Sequence, residues 1–197
     1  MKALHSYILA LIIVFPSLMM AQTVVDAKKI ENRDGLVYLA GENSPFTGTA
    51  IHWLPTGQKQ VESNYVAGKL SGIETTWYGD GRKFMEITYA DGDFNGPYRQ
   101  WYPNGQIELE KIYKGGMMNG PSTHWYENGV KENEGMYNDC RETGKWVFYH
   151  PNGVKMKEGI FKEGFEEGKW IFWDEKGVAW KEVIYNNGEP GVEKLLN

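Results

Sequence analysis

The chain of 197 residues has a single cysteine, and beyond its first 21 residues it has no long apolar run. One cysteine excludes a disulfide framework and a cysteine-based zinc site. Positive charge is also scarce, since 21 Lys and Arg stand against 26 Asp and Glu for a formal charge of −5. That balance suits polyanions poorly, so nucleic acid is not expected as a partner. Short basic stretches such as Lys155, Met156 and Lys157 are interleaved with Glu158 and read as solvated strand faces. Helical periodicity and helix caps are missing too. No nucleophile is paired with a base, no glycine-rich loop enters a helix and no ligand cluster is visible. The sequence therefore offers no catalytic centre, no metal site and no cofactor site, and it reads as a non-enzyme.

What is abundant is glycine and aromatic residues: 24 Gly, with 14% Phe, Trp and Tyr in a chain that is 41% hydrophobic. This is too apolar for disorder and favours strands and turns. The glycines lack a three-residue period, which excludes collagen.

Residues 1–21 are laid out as a secretory signal. Lys2 precedes an apolar run from Ile8 to Met20, broken by Pro16 and Ser17, and Ala21 supplies the small residue before a cut at Gln22. The run is shorter than the ~20 residues a spanning helix needs. No cysteine lies at the junction, so a lipoprotein anchor is not expected. Cleavage leaves 20 basic and 26 acidic residues, a charge of −6, on a protein exported to the periplasm, the cell surface or beyond and not integral to the membrane.

Past this segment the chain repeats itself every 24 residues without insertion or deletion. Glycine recurs at 48, 72, 96, 120, 144 and 168, and again at 57, 81, 105, 129, 153 and 177. An aromatic column runs through Trp53, Trp77, Trp101, Trp125, Tyr149 and Trp173, and a second through Tyr65, Tyr89, Tyr113, Tyr137, Phe161 and Tyr185. Glu62, Glu86, Glu110, Glu134, Glu158 and Glu182 form an acidic column. A looser glycine column at 68, 92, 116, 164 and 188 has Cys140 in its fourth place. Such periodicity marks a repeat architecture. It divides the chain into a signal at 1–21, a lead-in and capping segment at 22–47, six repeats at 48–191 and a tail at 192–197.

Inside a unit, Pro103-Asn104-Gly105 and Pro151-Asn152-Gly153 lie between apolar-bearing runs. Proline presets the first turn position and glycine takes the left-handed one, which fits a three-residue hairpin loop closed by a glycine bulge. The expected fold is all-β: an elongated single-layer antiparallel sheet of six tandem hairpins, twelve strands in all. With that loop, the Trp and Tyr columns are expected to share one sheet face.

The unit Gly-x-x-x-x-Trp-Tyr-x-Asn-Gly-x-x-x-x-Glu-x-x-Tyr-x-x-Gly, nearly intact from Gly96 to Gly116 and from Gly120 to Tyr137, resembles the variant MORN repeat. The lead-in Asp34-Gly35-Leu36-Val37-Tyr38 and Ser44-Pro45-Phe46-Thr47-Gly48 looks like the opening of bacterial antitoxin-like MORN-repeat proteins of the YwqK type. The resemblance covers residues 34 to 191. It implies a repeat scaffold, and its antitoxin label implies a cytoplasmic toxin as partner, whereas this chain opens with an export segment.

Successive glutamates of the acidic column should lie roughly 9 to 10 Å apart, too far to share a metal ion. Lys59, Lys83, Lys131 and Lys155 recur three residues before a glutamate, so pairing is expected instead. His52 and His124 share a column three repeats apart, and His150 reads as a variable surface position. The aromatics are core by default, but a single layer has nothing to cover them, so part of the stripe is expected to stay open. The candidate partner-binding face is Trp53, Trp77, Trp101, Trp125, Tyr149 and Trp173, with Trp146 and Trp170 beside them and Trp180 as a further accessible ring. The expected function is an exported scaffold that holds a protein or cell-envelope component along this face; a cell-wall carbohydrate-binding module and an antitoxin-like protein are the alternatives.

Overall fold

A computed structural model describes residues 23–196. The signal segment read at residues 1–21 lies outside the described residues, as does Asn197. Among the described residues, no helix is long and apolar enough to cross a membrane.

The chain opens with β1 (Val24–Asp26), a short 3-10 turn at Ala27–Lys29, and the hairpin of β2 (Ile30–Arg33) and β3 (Leu36–Leu39). Six hairpins follow, and they supply the twelve expected strands. They are β4 (Gly48–Trp53) with β5 (Lys59–Val66), then, after the short β6 (Lys69–Leu70), β7 (Gly72–Trp77) with β8 (Lys83–Ala90), and β9 (Asp93–Trp101) with β10 (Ile107–Lys114). The series continues through β11 (Met117–Trp125) with β12 (Lys131–Asn138), β13 (Arg141–Tyr149) with β14 (Lys155–Lys162), and β15 (Phe165–Trp173) with β16 (Ala179–Asn186). A last strand, β17 (Glu189–Leu195), closes the array. All but β2 and β3 belong to one 15-stranded sheet whose neighbours follow chain order. The pairing is antiparallel except at the first edge, where β1 joins β4 in parallel and makes the sheet mixed.

Turn chemistry sets the hairpins. Gly105 donates its N–H to the carbonyl of Tyr102 at 2.8 Å, and Tyr102 donates to Gln106 at 2.9 Å; the same two bonds close all six loops. Gly105 has φ +87°, the left-handed conformation that closes a three-residue loop with a bulge. At the opposite edge the hairpins are joined by two-residue turns with both residues at positive φ, such as Asp91 (+53°) and Gly92 (+92°). These are the primed turns whose twist suits strand pairs.

The two aromatic columns do not share a face, contrary to the expectation from the loop. Trp101 opposes Ile107, but the next pair is Gln100 with Leu109, so the return strand carries one extra residue just past the loop. The same slip recurs beside Trp53, Trp77, Trp125, Tyr149 and Trp173. A single inserted residue reverses every side chain beyond it. The Trp and Glu columns consequently lie on one face, called here the first, and the Tyr column on the other, the second.

The second face is the core. Large side chains there cover small ones across neighbouring strands: a Cβ on Gly135 would lie 2.2 Å from atoms of the Trp146 ring, and one on Gly159 would lie 2.1 Å from the Trp170 ring. The rings then meet edge to face along the sheet, Tyr137 to Trp146 at 5.3 Å, Trp146 to Phe161 at 5.8 Å, Phe161 to Trp170 at 5.1 Å and Trp170 to Tyr185 at 6.1 Å. Edge-to-face contact matches the positive rim of one ring to the negative face of the next. Trp146 is 4% exposed and Trp170 0%. The sheet thus buries aromatic area without a second layer.

Two kinds of glycine are distinguishable by experiment. Nothing lies within 4 Å of a Cβ placed on Gly105, so Gly105→Ala should cost only the left-handed backbone penalty, about 1 kcal/mol. Gly159→Ala must displace the Trp170 ring and should cost on the order of 3 kcal/mol. Chemical denaturation of the two variants would check the order; equal losses would show that Trp170 does not rest on the Gly159 backbone.

Candidate functional site

On the first face each repeat contributes an aromatic ring, a cation and a carboxylate. The Lys59 ammonium lies 5.6 Å from the centre of the Trp77 ring, Lys83 lies 5.7 Å from Trp101 and Lys155 lies 5.6 Å from Trp173. Each lysine also pairs with a glutamate on its own strand, Lys59 with Glu62 at 2.5 Å, Lys83 with Glu86, and Lys155 with Glu158 at 2.8 Å; Lys131 pairs likewise with Glu134 at 2.7 Å. In the third hairpin Ile107 replaces the lysine, and Arg99 pairs with Glu110 at 2.7 Å instead. Lys169 serves Glu182 at 2.5 Å. Every glutamate of the column therefore has a cation partner, four of them from the lysine three residues earlier and Glu110 and Glu182 from the partner strand of their own hairpin. Such part-exposed pairs contribute at most about 1 kcal/mol each. A lysine of the preceding hairpin thus stands over one broad side of the Trp77, Trp101 and Trp173 rings.

Of the eight residues read as a binding face, the structure brings six together. Trp77, Trp101, Trp125, Tyr149 and Trp173 are half-buried on the first face and Trp53 is exposed at its start. Trp146 and Trp170 do not belong with them: they stand on the second face and are buried, because Gly135 and Gly159 leave room for their rings against the sheet. Trp180 is exposed, as expected, and packs on Phe172 at 6.4 Å.

The sequence reading missed an aliphatic column on the same face. The position held by Asn64 and Thr88 in the first two repeats becomes Ile112, Met136, Ile160 and Ile184 in the last four. Met136 is 44% exposed, Ile160 53% and Ile184 40%. Reading that column alone would have shown the change from polar to aliphatic, but it carries no aromatic and no glycine to draw attention. Beside it lie two depressions 24 residues apart in their lining. Glu134, Met136, Lys145 and Val147 surround the first over the backbone of Gly135, and Glu158, Ile160, Lys169 and Ile171 surround the second over Gly159.

Of the described histidines, His124 and His150 have partners within the sheet. His150 is not a variable surface site: its Nε2 donates to the Trp173 carbonyl at 3.0 Å. The tyrosines of its column make the same contact one repeat ahead, Tyr78 to Trp101, Tyr102 to Trp125 and Tyr126 to Tyr149, at 2.6, 2.7 and 2.8 Å. His52 and His124 lie on the second face, where His124 Nδ1 sits 2.5 Å from Glu132. Among the described residues no group of three or more His, Cys, Asp or Glu side chains is arranged to hold a metal ion. Cys140 is exposed at φ +64° in the glycine position of a two-residue turn, and its Sγ accepts from the Met118 N–H at 3.2 Å.

Charge pairing on the first face should be visible in acid. The Lys131 ammonium, and then the Tyr149 hydroxyl at 2.7 Å, hold the Glu134 carboxyl below its ordinary value. The Tyr149 phenol is pushed up to about 12, first by burial and then by that carboxylate. Burial works against ionised Glu158, yet Lys155 and Lys145 keep it below the ordinary value as well. A depressed folded value means that the contribution is full above the unfolded carboxyl value, about 4.3, and is lost as pH falls through the lower folded one. Melting temperature should therefore drop between about pH 4.5 and 3, with a shallower slope in Glu134→Gln. Identical acid profiles for the two proteins would contradict the assignment. Cys140→Gly should raise stability by roughly 0.5 to 1 kcal/mol by removing a side chain from a left-handed position, measured by thermal unfolding.

Comparison with known families matches three consecutive units, residues 94–114, 118–139 and 142–163, to the MORN repeat variant. A comparison with curated proteins returned no match. Among solved structures, the chain is similar to a chain of the Glycosylation Associate Protein (Gap123) complex from Streptococcus agalactiae. That likeness spans 53% of this chain and 19% of the other, with 14% identity and a TM-score of 0.32. The matched units are the third, fourth and fifth hairpins, about a third of the chain, and these carry repeats of the MORN variant type; their loop bonds, register slip and glutamate pairs recur in the rest of the array.

Proposed function

We propose that this chain is a non-catalytic scaffold, exported through its apolar amino terminus, that binds a protein partner of the cell envelope along the first face. The observation that carries the reading is the aliphatic column. Single exposed aliphatics are ordinary on protein surfaces, but four in one repeat position, three of them exposed and Ile112 half-buried, form a stripe, and stripes of that kind mark contact surfaces. The Trp column borders the stripe, and its lysines and glutamates give it a charged margin. A linear array also multiplies weak identical contacts into a firm one. Sugar binding has less support, because stacking on a sugar needs an open ring face and lysine occupies that side of Trp77, Trp101 and Trp173.

Capture from an envelope fraction tests the reading. The wild-type protein and a Val66→Ser control, altered at an exposed position outside the stripe, should recover the same partner, and the double variant Met136→Ser, Ile160→Ser should lose it. Equal recovery by all three proteins would remove the first face as the binding surface.

A further inference from the structure

The two depressions on the first face are copies of one another, and their spacing limits what can occupy both. Lining residues of one map onto the other by adding 24: Glu134 to Glu158, Met136 to Ile160, Lys145 to Lys169, and Val147 to Ile171. Neighbouring strands lie about 4.8 Å apart, so equivalent points on successive hairpins recur at about 9.6 Å along the sheet. An occupant lying along the stripe must present matching groups at that interval.

Regular backbones differ sharply in this respect. An extended strand brings a side chain back to one side every ~6.7 Å, which falls out of step at the first hairpin. A helix repeats every ~5.4 Å, and its seven-residue repeat of ~10.5 Å drifts by about 1 Å per hairpin. Polyproline II has three residues per turn at ~3.1 Å each, a repeat of about 9.3 Å that stays within a few tenths of the hairpin pitch. The four aliphatic positions from Ile112 to Ile184 then span about 29 Å, the reach of some nine or ten residues in that conformation.

Polar chemistry points the same way. A proline-rich chain has no N–H at its prolines and leaves its carbonyl oxygens without internal partners, so it needs donors. The depressions are flanked by lysines: Lys145 and Lys169 are both more than half exposed and stand beside the aliphatic column. Each is held by one glutamate, Lys145 by Glu158 at 3.2 Å and Lys169 by Glu182 at 2.5 Å. An ammonium has three donors, so each can hold its glutamate and still donate to a ligand carbonyl. Lys145 and Lys169 thus keep donors along the stripe even though each neutralises a glutamate. Their N–H donors face the same side as the aliphatic column, where a ligand carbonyl would lie.

We infer that the first face, from Ile112 to Ile184, docks a proline-rich segment of a partner protein in the polyproline II conformation, with an apolar side chain at every third residue entering successive depressions. The inference rests on the scaffold reading above and names the chemistry of the partner.

The test uses the full chain from residue 22 and three fluorescent twelve-residue probes, followed by anisotropy. One carries Leu-Pro-Pro repeats, the second has the same composition with the leucines permuted out of period, and the third is an amphipathic helix with the same number of leucines. The period-three probe should bind saturably and at least tenfold more tightly than the other two. Met136→Ser with Ile160→Ser should weaken it at least tenfold, and Lys145→Met with Lys169→Met at least threefold, with melting temperatures unchanged as the check on folding. Equal binding of the permuted or helical probe, no binding of the period-three probe up to millimolar concentration, or indifference to either double variant would overturn the assignment. If a partner is still captured through the stripe while no proline probe binds, only the polyproline reading fails; if capture is also insensitive to the stripe, the scaffold reading fails with it.

Discussion

Contact between one hairpin and the next is the constraint on which everything else depends. A single-layer sheet has no opposing layer to press its strands together, so each hairpin is braced only by its neighbours. The chain meets this need at both edges. At the loop edge Asn104, Asn128 and Asn152 each accept from their own turn, at Gln106, Val130 and Val154, and donate to the carbonyl of Glu127, Pro151 or Glu175 in the next one. The column of Tyr78, Tyr102, Tyr126 and His150 adds a second bond one repeat ahead. At the other edge the second residue of each two-residue turn donates backward, Gly92 to Leu70, Gly116 to Phe94, Cys140 to Met118 and Gly164 to Glu142, all at 2.9 Å. The backbone bond of Cys140 shows that this ladder needs the turn conformation rather than glycine itself.

Once the hairpins are held in register, side chains at equivalent positions necessarily form rows, and the two faces use those rows differently. The second face sorts by size: Tyr98 opposes Ile87, Ser122 opposes Lys111, Trp146 opposes Gly135 and Trp170 opposes Gly159. Bulk moves from one member of the pair to the other along the array while the space between them stays filled, as close packing requires. The first face sorts by charge, with lysine bridging a ring in one hairpin and a carboxylate in another. One face supplies cohesion, and the other keeps apolar surface at the rim of a neutralised charge pattern.

The two edges of the described sheet are built differently from its middle. At the start, the β2–β3 hairpin ties into the sheet through Val37 donating to Gly68 and Gly68 donating to Phe46, at 2.9 and 2.7 Å, and the buried Phe46 ring lies over Gly48. At the far end β17 is the outgoing strand of a seventh unit, but Lys194 stands where Trp146 and Trp170 stood, and Pro190 lies on the edge. Proline and charge blunt an edge strand against further pairing.

Much of this was legible in the residues. A strict 24-residue period needs no tertiary knowledge, Pro-Asn-Gly selects its loop through local backbone preference, and a lysine three residues before a glutamate places two opposite charges within reach on one strand. Those features depend on neighbours in sequence, where local energetics are decisive. Which face each aromatic column occupies was settled only in the folded sheet. One extra residue past the loop, with no composition of its own to mark it, turned the Trp and Tyr columns apart and placed the aliphatic stripe beside the tryptophans. The burial of Trp146 and Trp170 is likewise non-local, because each ring lies over a glycine eleven residues away that is neighbouring only through strand pairing. A strand's side chains alternate with a period of two, so a register shift of one residue changes everything about a surface while leaving its sequence repeat untouched.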